Sequence, residues 1–146
     1  TVLVAAVVVL GLAATAVGRR ARSFLPFEEL KIYLEENATD GDLGLHFLLD
    51  GEAWSRISMA GPDGCRIFSS RNKSSLKEIG STELFHESAE PEFEELSRED
   101  FLALHPEGEY TFSGRTIEGD TLMGTALLSH AQPLRGLSLS PLKLET

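Results

Sequence analysis

The chain has 146 residues, of which 42% are hydrophobic and 25% are charged, and its net charge is −10. This length suits one domain with its own core, and a single cysteine excludes an internal disulfide. The acidic balance argues against a nucleic-acid-binding protein, because the basic residues are few and are not interleaved with aromatic ones.

An apolar segment opens the sequence and is followed at once by arginines. Residues 1–17 (TVLVAAVVVLGLAATAV) are uncharged, and Ala14-Thr15-Ala16 fits the small-residue site of an export signal cleaved before Val17. The arginines favour an uncleaved membrane anchor instead, although an anchor needs about 20 apolar residues. An ordinary buried strand or helix is the third alternative. We expect residues 1–22 to form a leader helix that places the protein in the periplasm, outside the cell or at the membrane.

Alternating apolar residues predict strands in the first half of the domain. Residues 29–36 (ELKIYLEE) alternate apolar and polar side chains, which is typical of a half-buried strand. Residues 45–49 and 53–59 predict two more strands, and Asp50-Gly51 between them is a strong hairpin signal. We therefore expect an antiparallel meander.

The middle of the chain continues this pattern with less regularity. Gly61-Pro62-Asp63-Gly64 predicts a turn, from which residues 65–70 return as a strand that begins at a buried Cys65. The apolar residues between 76 and 85 indicate one or two further strands around Gly80.

One short helix is predicted after the acidic loop at residues 87–95. Ser97 is a candidate N-cap, and Pro106 ends the helical pattern. A helix this short needs tertiary contacts, which we expect from Phe101 and Leu104.

The second half of the domain is predicted to close with a hairpin. Residues 107–129 contain two alternating segments around the turn Glu118-Gly119-Asp120. Gly114 and Gly124 lie at similar distances from that turn, which would let an aromatic ring cover the backbone. Residues 134–146 contain unevenly spaced leucines and are expected to form a linker or extension.

The hairpin also carries a resemblance to a known group of domains. The segment 106–114 (PEGEYTFSG) resembles the Gly-x-Tyr-x-aromatic hairpin that ends many exported bacterial immunoglobulin-like and fibronectin type III-like domains. The resemblance implies that residues 23–133 form a mainly β, antiparallel β-sandwich of the immunoglobulin-like kind, with one short helix. It implies export and assigns no functional residues.

Two sets of residues are candidate binding sites. Asn37, Asp40 and Asp42 place oxygen donors in a glycine-containing turn, which suits calcium, although the EF-hand spacing is absent and a solvated acidic turn is the alternative. Trp54 is either a core residue or, with Tyr33, a surface that stacks on a sugar ring or anchors a partner.

Charge is distributed unevenly along the sequence. Between residues 56 and 82 five basic residues face two acidic ones, whereas the segments on either side are strongly acidic. Either adjacent strands of opposite sign pair in the sheet, or the basic residues form an exposed ridge that binds an anionic partner.

Catalytic motifs are incomplete in this sequence. His86 begins a near match to the zinc-protease motif, but Glu90 replaces the second histidine, and Ser70 and Ser74 precede lysines without the other motifs of penicillin-binding enzymes. We therefore expect no enzyme and no cofactor, with calcium as the open alternative.

The sequence favours a non-enzymatic, exported binding module at the cell envelope. A carbohydrate- or calcium-binding domain is the alternative, and a small hydrolase is the third hypothesis. The partner is expected to be a protein or a carbohydrate and not a nucleic acid, and the membrane is contacted only through residues 1–22 if they are retained.

Overall fold

The computed structural model describes residues 22–131 and the backbone of residues 134 and 135. The predicted leader at residues 1–22 lies outside the described residues except for Arg22. Residues 136–146 of the predicted extension also lie outside them. Within the described part of the chain, no helix is long and apolar enough to cross a membrane.

The described residues form a mainly β structure with two short helices. In chain order the elements are β1 (Phe24–Leu25), β2 (Glu29–Asn37), β3 (Asp42–Ala60), β4 (Arg66–Arg71), α1 (Ser74–Ile79), β5 (Ser81–Glu87), α2 (Arg98–Leu104), β6 (Gly108–Thr116), β7 (Thr121–Leu128) and β8 (Leu134–Arg135). Most neighbouring strands are antiparallel, and the parallel pairs are β1 with β7 and β2 with β8. The predicted mainly β, antiparallel fold is confirmed.

The long strand β3 runs through the position of the predicted hairpin, and that prediction is wrong. Its first half pairs with β2 and β5, and its second half pairs with β6 and β4. Pairing with β5 is irregular between Asp50 and Trp54, so the strand kinks there instead of reversing.

The change of partner along β3 divides the curled sheet into two layers. One layer has the order β8-β2-β3-β5 and the other has the order β4-β3-β6-β7-β1. The layers enclose one core, to which both contribute buried side chains such as Leu34, Phe47 and Phe112. The outer faces of the two layers are the surfaces on which a site can lie.

The helices differ in part from the prediction. Residues predicted as strand before Gly80 form α1, whose Leu76 and Ile79 are exposed and whose Leu76 carbonyl accepts a hydrogen bond from Gly80. In α2 the Ser97 hydroxyl accepts the Asp100 N–H at 3.1 Å, which confirms the predicted cap. Phe101 is buried as expected, whereas Leu104 points to solvent.

The closing hairpin of β6 and β7 is confirmed. Its turn has Gly119 at φ +94, a backbone conformation that favours glycine, and Thr116 N–H donates to the Asp120 carbonyl. Gly124 lies opposite Phe112 across the pair, and the atoms nearest to a Cβ at Gly124 belong to Leu30 and Phe27.

Cys65 is exposed, which contradicts the expected burial. The Asp63 carboxylate accepts its backbone N–H at 2.9 Å, so Cys65 still belongs to the turn and β4 begins one residue later.

Candidate functional site

The outer face of the β4-β3-β6 layer carries a row of arginines, which we call the arginine face. Arg56 of β3 lies between Arg71 of β4 and Arg115 of β6 in the register of the sheet. Since Ile57 and Met59 of β3 face the core, alternation along the strand turns Arg56 outward. Three guanidinium groups therefore share one surface.

A row of serines lies beside the arginines on the same face. Ser58 pairs with Ser69 on one side and with Ser113 on the other, and its hydroxyl is 3.0 Å from that of Ser113. Together the two rows line a shallow cleft of about 290 Å³. Hydroxyl and guanidinium donors thus converge on one open space.

The electrostatics of the arginine face are unusual for an acidic protein. None of its three arginines forms an ion pair with a carboxylate of the described residues. Among the described residues, the cleft and its continuation toward α1 have no acidic lining residue. Four more basic ones extend it, which are Arg22, Arg66, Lys73 and Lys77. The expectation that oppositely charged strands pair here is wrong, because arginine lies opposite arginine.

Like charges directly opposite each other destabilise a sheet, so this arrangement has an energetic cost in the free protein. A bound anion would remove that cost, because guanidinium groups bind carboxylate, sulfate or phosphate oxygens through planar, paired hydrogen bonds. The arrangement is suited to binding negative groups.

Trp54 does not belong to a surface site. Its side chain is 2% exposed and meets the ring of Phe27 edge-on at 6.3 Å, inside the core. The expectation that Trp54 and Tyr33 form one exposed aromatic surface is wrong, because the Trp54 ring faces the core, as the sandwich alternative predicted. Tyr33 lies on the outer face of the other layer and stacks on His46 at 5.2 Å.

The predicted calcium donors serve the turn between β2 and β3. The side-chain oxygen of Asn37 accepts the N–H of Thr39 at 3.1 Å, and its amide donates to the Asp40 carboxylate at 2.6 Å. Asp42 is 9% exposed, and its Oδ1 has no hydrogen-bond partner. Asn37 and Asp40 thus have a structural role, and calcium binding by the three residues stays a prediction.

The residues of the hydrolase hypothesis form no hydrogen bond with one another in the described part of the chain. His86 packs against Phe47 at 4.6 Å and Phe68 at 5.1 Å, and burial lowers its pKa. No hydrogen bond joins His86 to Ser70 or Ser74 within the described residues. The contacts that the structure shows for His86 are with aromatic rings, and the expectation of no enzymatic activity stays a prediction.

A second cluster, which the sequence did not predict, lies on the outer face of the β2-β3-β5 layer. It contains His46, Glu87 and Glu90, whose ligand atoms all lie within 4.8 Å of one another. Neither the spacing along the chain nor the periodicity signals this group, because β3 and β5 become neighbours only in the folded sheet. The basic segment of the sequence did indicate Arg56 and Arg71, but not the contribution of Arg115 from β6.

Comparisons with known proteins identify no family for this chain. No protein-family model matches the sequence, and no curated protein matches it. Among solved structures, the Ig1 domain of mouse SynCAM 2 aligns with 68% of this chain and 92% of that domain, with a TM-score of 0.34 and 16% identity. A likeness of this size carries no argument about function.

Proposed function

We propose that this protein is a non-enzymatic binding module whose arginine face binds an anionic partner. The observation that carries the proposal is the row Arg71-Arg56-Arg115, in which like charges lie side by side without a carboxylate among the described residues to neutralise them. The protein as a whole is strongly acidic, yet basic residues are concentrated at this face, where an anion would be bound.

The partner that fits this face best is an acidic polysaccharide. The serine row offers hydroxyl groups for sugar hydroxyls, and the arginine row offers paired donors for the acidic groups. The strands are about 4.8 Å apart, so the three arginines span about 10 Å. None of the described residues that line the cleft is aromatic, and unpaired nucleic-acid bases would need an aromatic ring to stack on.

The test measures binding to heparin and to polygalacturonate as probes. We expect the full chain to bind both, with affinity that falls as salt is raised, because exposed charges are screened. In the variant Arg56→Gln with Arg115→Gln, affinity should fall at least tenfold.

The matched control is Lys31→Gln with Arg98→Gln, which makes the same change in net charge away from the arginine face. Both residues form ion pairs elsewhere, with Glu29 and Glu36. Equal loss of affinity in the two variants would show that only net charge matters and would contradict the proposal. Binding to an acidic peptide but to neither polysaccharide would replace the proposed partner with a protein.

We also propose that this module works outside the cytoplasm. The support is the uncharged segment at residues 1–17 and the small residues Ala14-Thr15-Ala16 at its end. Sequencing the amino terminus of the expressed protein in each cell fraction tests this. A soluble exported product beginning at Val17 is expected, whereas a product found only in the cytoplasm would overturn the proposal.

A further inference from the structure

A buried histidine lies among carboxylates on the outer face of the β2-β3-β5 layer. Tyr33, His46 and Glu87 lie side by side in register across the three strands. The Nε2 atom of His46 is 3.3 Å from the Glu90 carboxylate and 4.0 Å from that of Glu35. Although it is on an outer face, His46 is only 4% exposed.

The loop after β5 holds Glu90 in this position. Ser88 anchors the start of the loop, because its N–H donates to the Leu45 carbonyl at 3.0 Å and its hydroxyl accepts the Leu45 N–H at 2.9 Å. Phe93 anchors its far end, where its N–H donates to the Gly41 carbonyl at 2.9 Å. Between the two anchors the Glu90 side chain lies directly over Gly44, in space that only a glycine leaves free.

Two buried polar atoms on this face have no partner. Among the described residues, Asp42 Oδ1 and His46 Nδ1 are the buried side-chain atoms without a hydrogen bond. Alternation along β3 places Asp42 and His46 on the face that Glu90 covers, on either side of Gly44. Buried polar groups are nearly always satisfied, so a bound group that reached either of these atoms would be favoured.

Acidic side chains also cluster on this face. No described lysine or arginine forms an ion pair with Glu35, Glu87 or Glu90. A cation would neutralise these groups.

We propose that His46, Glu87 and Glu90 bind one divalent metal ion of the zinc class. One imidazole nitrogen with carboxylate oxygens suits zinc better than calcium, which takes oxygen ligands only. Ligand atoms of a tetrahedral zinc site are about 3.3 Å apart, given bonds of about 2.0 Å. The His46–Glu90 separation of 3.3 Å has this value, and the other pairs lie within 4.8 Å.

Three protein ligands leave the fourth position of a zinc ion open, and Glu35 is the nearest further carboxylate. Because Glu90 belongs to the loop and His46 to β3, the ion would tie the loop to the sheet. The proposal is independent of the arginine face, which lies on the other layer.

The test adds zinc chloride to the full chain after chelator treatment and dialysis. We expect one ion to bind, measured by calorimetry, and the thermal midpoint to rise, because a ligand that binds only the native state stabilises it. Glu90→Gln should lower the affinity for zinc at least tenfold. Cobalt in place of zinc should give the visible bands of a tetrahedral site, and these should be lost in the same variant.

Gly44→Ala gives a second test that changes no ligand. The added Cβ would occupy the space of the Glu90 carboxylate, so the side chain must move away. Zinc affinity should fall in Gly44→Ala and stay unchanged in the control Glu94→Gln, an exposed carboxylate of the same loop.

Two outcomes would overturn the proposal. Zinc binding that is equal in wild type, Glu90→Gln and Gly44→Ala would place the ion elsewhere, and no zinc binding would leave His46 and Glu90 as a hydrogen-bonded pair only. A thermal shift with calcium alone that is lost in Asp40→Asn would instead favour the turn at Asn37 and Asp40.

Discussion

Phe101 is the buried apolar residue of α2, and its ring is 3% exposed. It contacts the His105 ring at 4.6 Å, and the Phe101 carbonyl lies 3.0 Å from His105 Nδ1. A helix of seven residues has little stability of its own, so the docking of Phe101 decides whether α2 forms.

Phe101→Ala should therefore lower the free energy of unfolding by about 3–5 kcal/mol, as is usual for a large core aromatic. Urea denaturation measures this change. The matched control on the same helix is Leu104→Ala. Because Leu104 is 66% exposed, this substitution should lower the free energy of unfolding by less than about 0.5 kcal/mol. Equal effects of the two substitutions would contradict the packing described here.

At this scale the sequence predicts how a residue behaves only where its near neighbours determine the environment. The Ser97 cap depends on Asp100, three residues away, and it was predictable. Leu104 has the same apolar character as Phe101 but no partner, and His46 is buried by Glu90 from a distant loop. Both outcomes depend on contacts that are remote along the chain.

Among the elements, the hairpin of β6 and β7 was predicted best, because its turn and its alternation are both local. The long strand β3 was predicted wrongly, as two strands joined by a hairpin turn. Asp50-Gly51 has the composition of a turn, but the strand gains new partners beyond it, β6 on one edge and β4 on the other. Pairing with partners that come later in the chain outweighs the local preference, and periodicity carries no information about such pairing.

The contact between β7 and β2 gives a prediction for the packing of the two layers. A Cβ at Gly124 would lie 2.9 Å from Leu30 Cδ2 and 3.3 Å from Phe27 Cδ2. Gly124→Ala should cost about 1–3 kcal/mol, the usual range for overpacking. The control is Thr125→Ser on the exposed side of β7. Thermal denaturation should show a lower midpoint for Gly124→Ala and an unchanged midpoint for Thr125→Ser. If the midpoint of Gly124→Ala were also unchanged, the layers would be less closely packed than the structure shows.

The whole molecule separates its charges along β3. The first half of β3 carries His46 among carboxylates, and the second half carries Arg56 among arginines. The two proposed sites therefore lie on different layers of one curled sheet, linked by a strand of 19 residues. The sequence showed the alternation of acidic and basic segments, but only the fold brings Arg115 to Arg56 and Glu90 to His46.

Stability should depend on pH through the partly buried histidines. Burial lowers the pKa of both His86 and His105 from the ordinary value of 6.5. Near pH 6 the unfolded chain therefore binds more protons than the folded one, so the free energy of unfolding decreases as the pH falls below about 6.5. Urea denaturation at pH 7.5, 6.5 and 5.5 measures this decrease. In His86→Phe, which keeps an aromatic ring against Phe47 and Phe68, the decrease should be smaller. Parallel pH profiles for wild type and His86→Phe would show that burial of His86 does not contribute to the acid sensitivity of the fold.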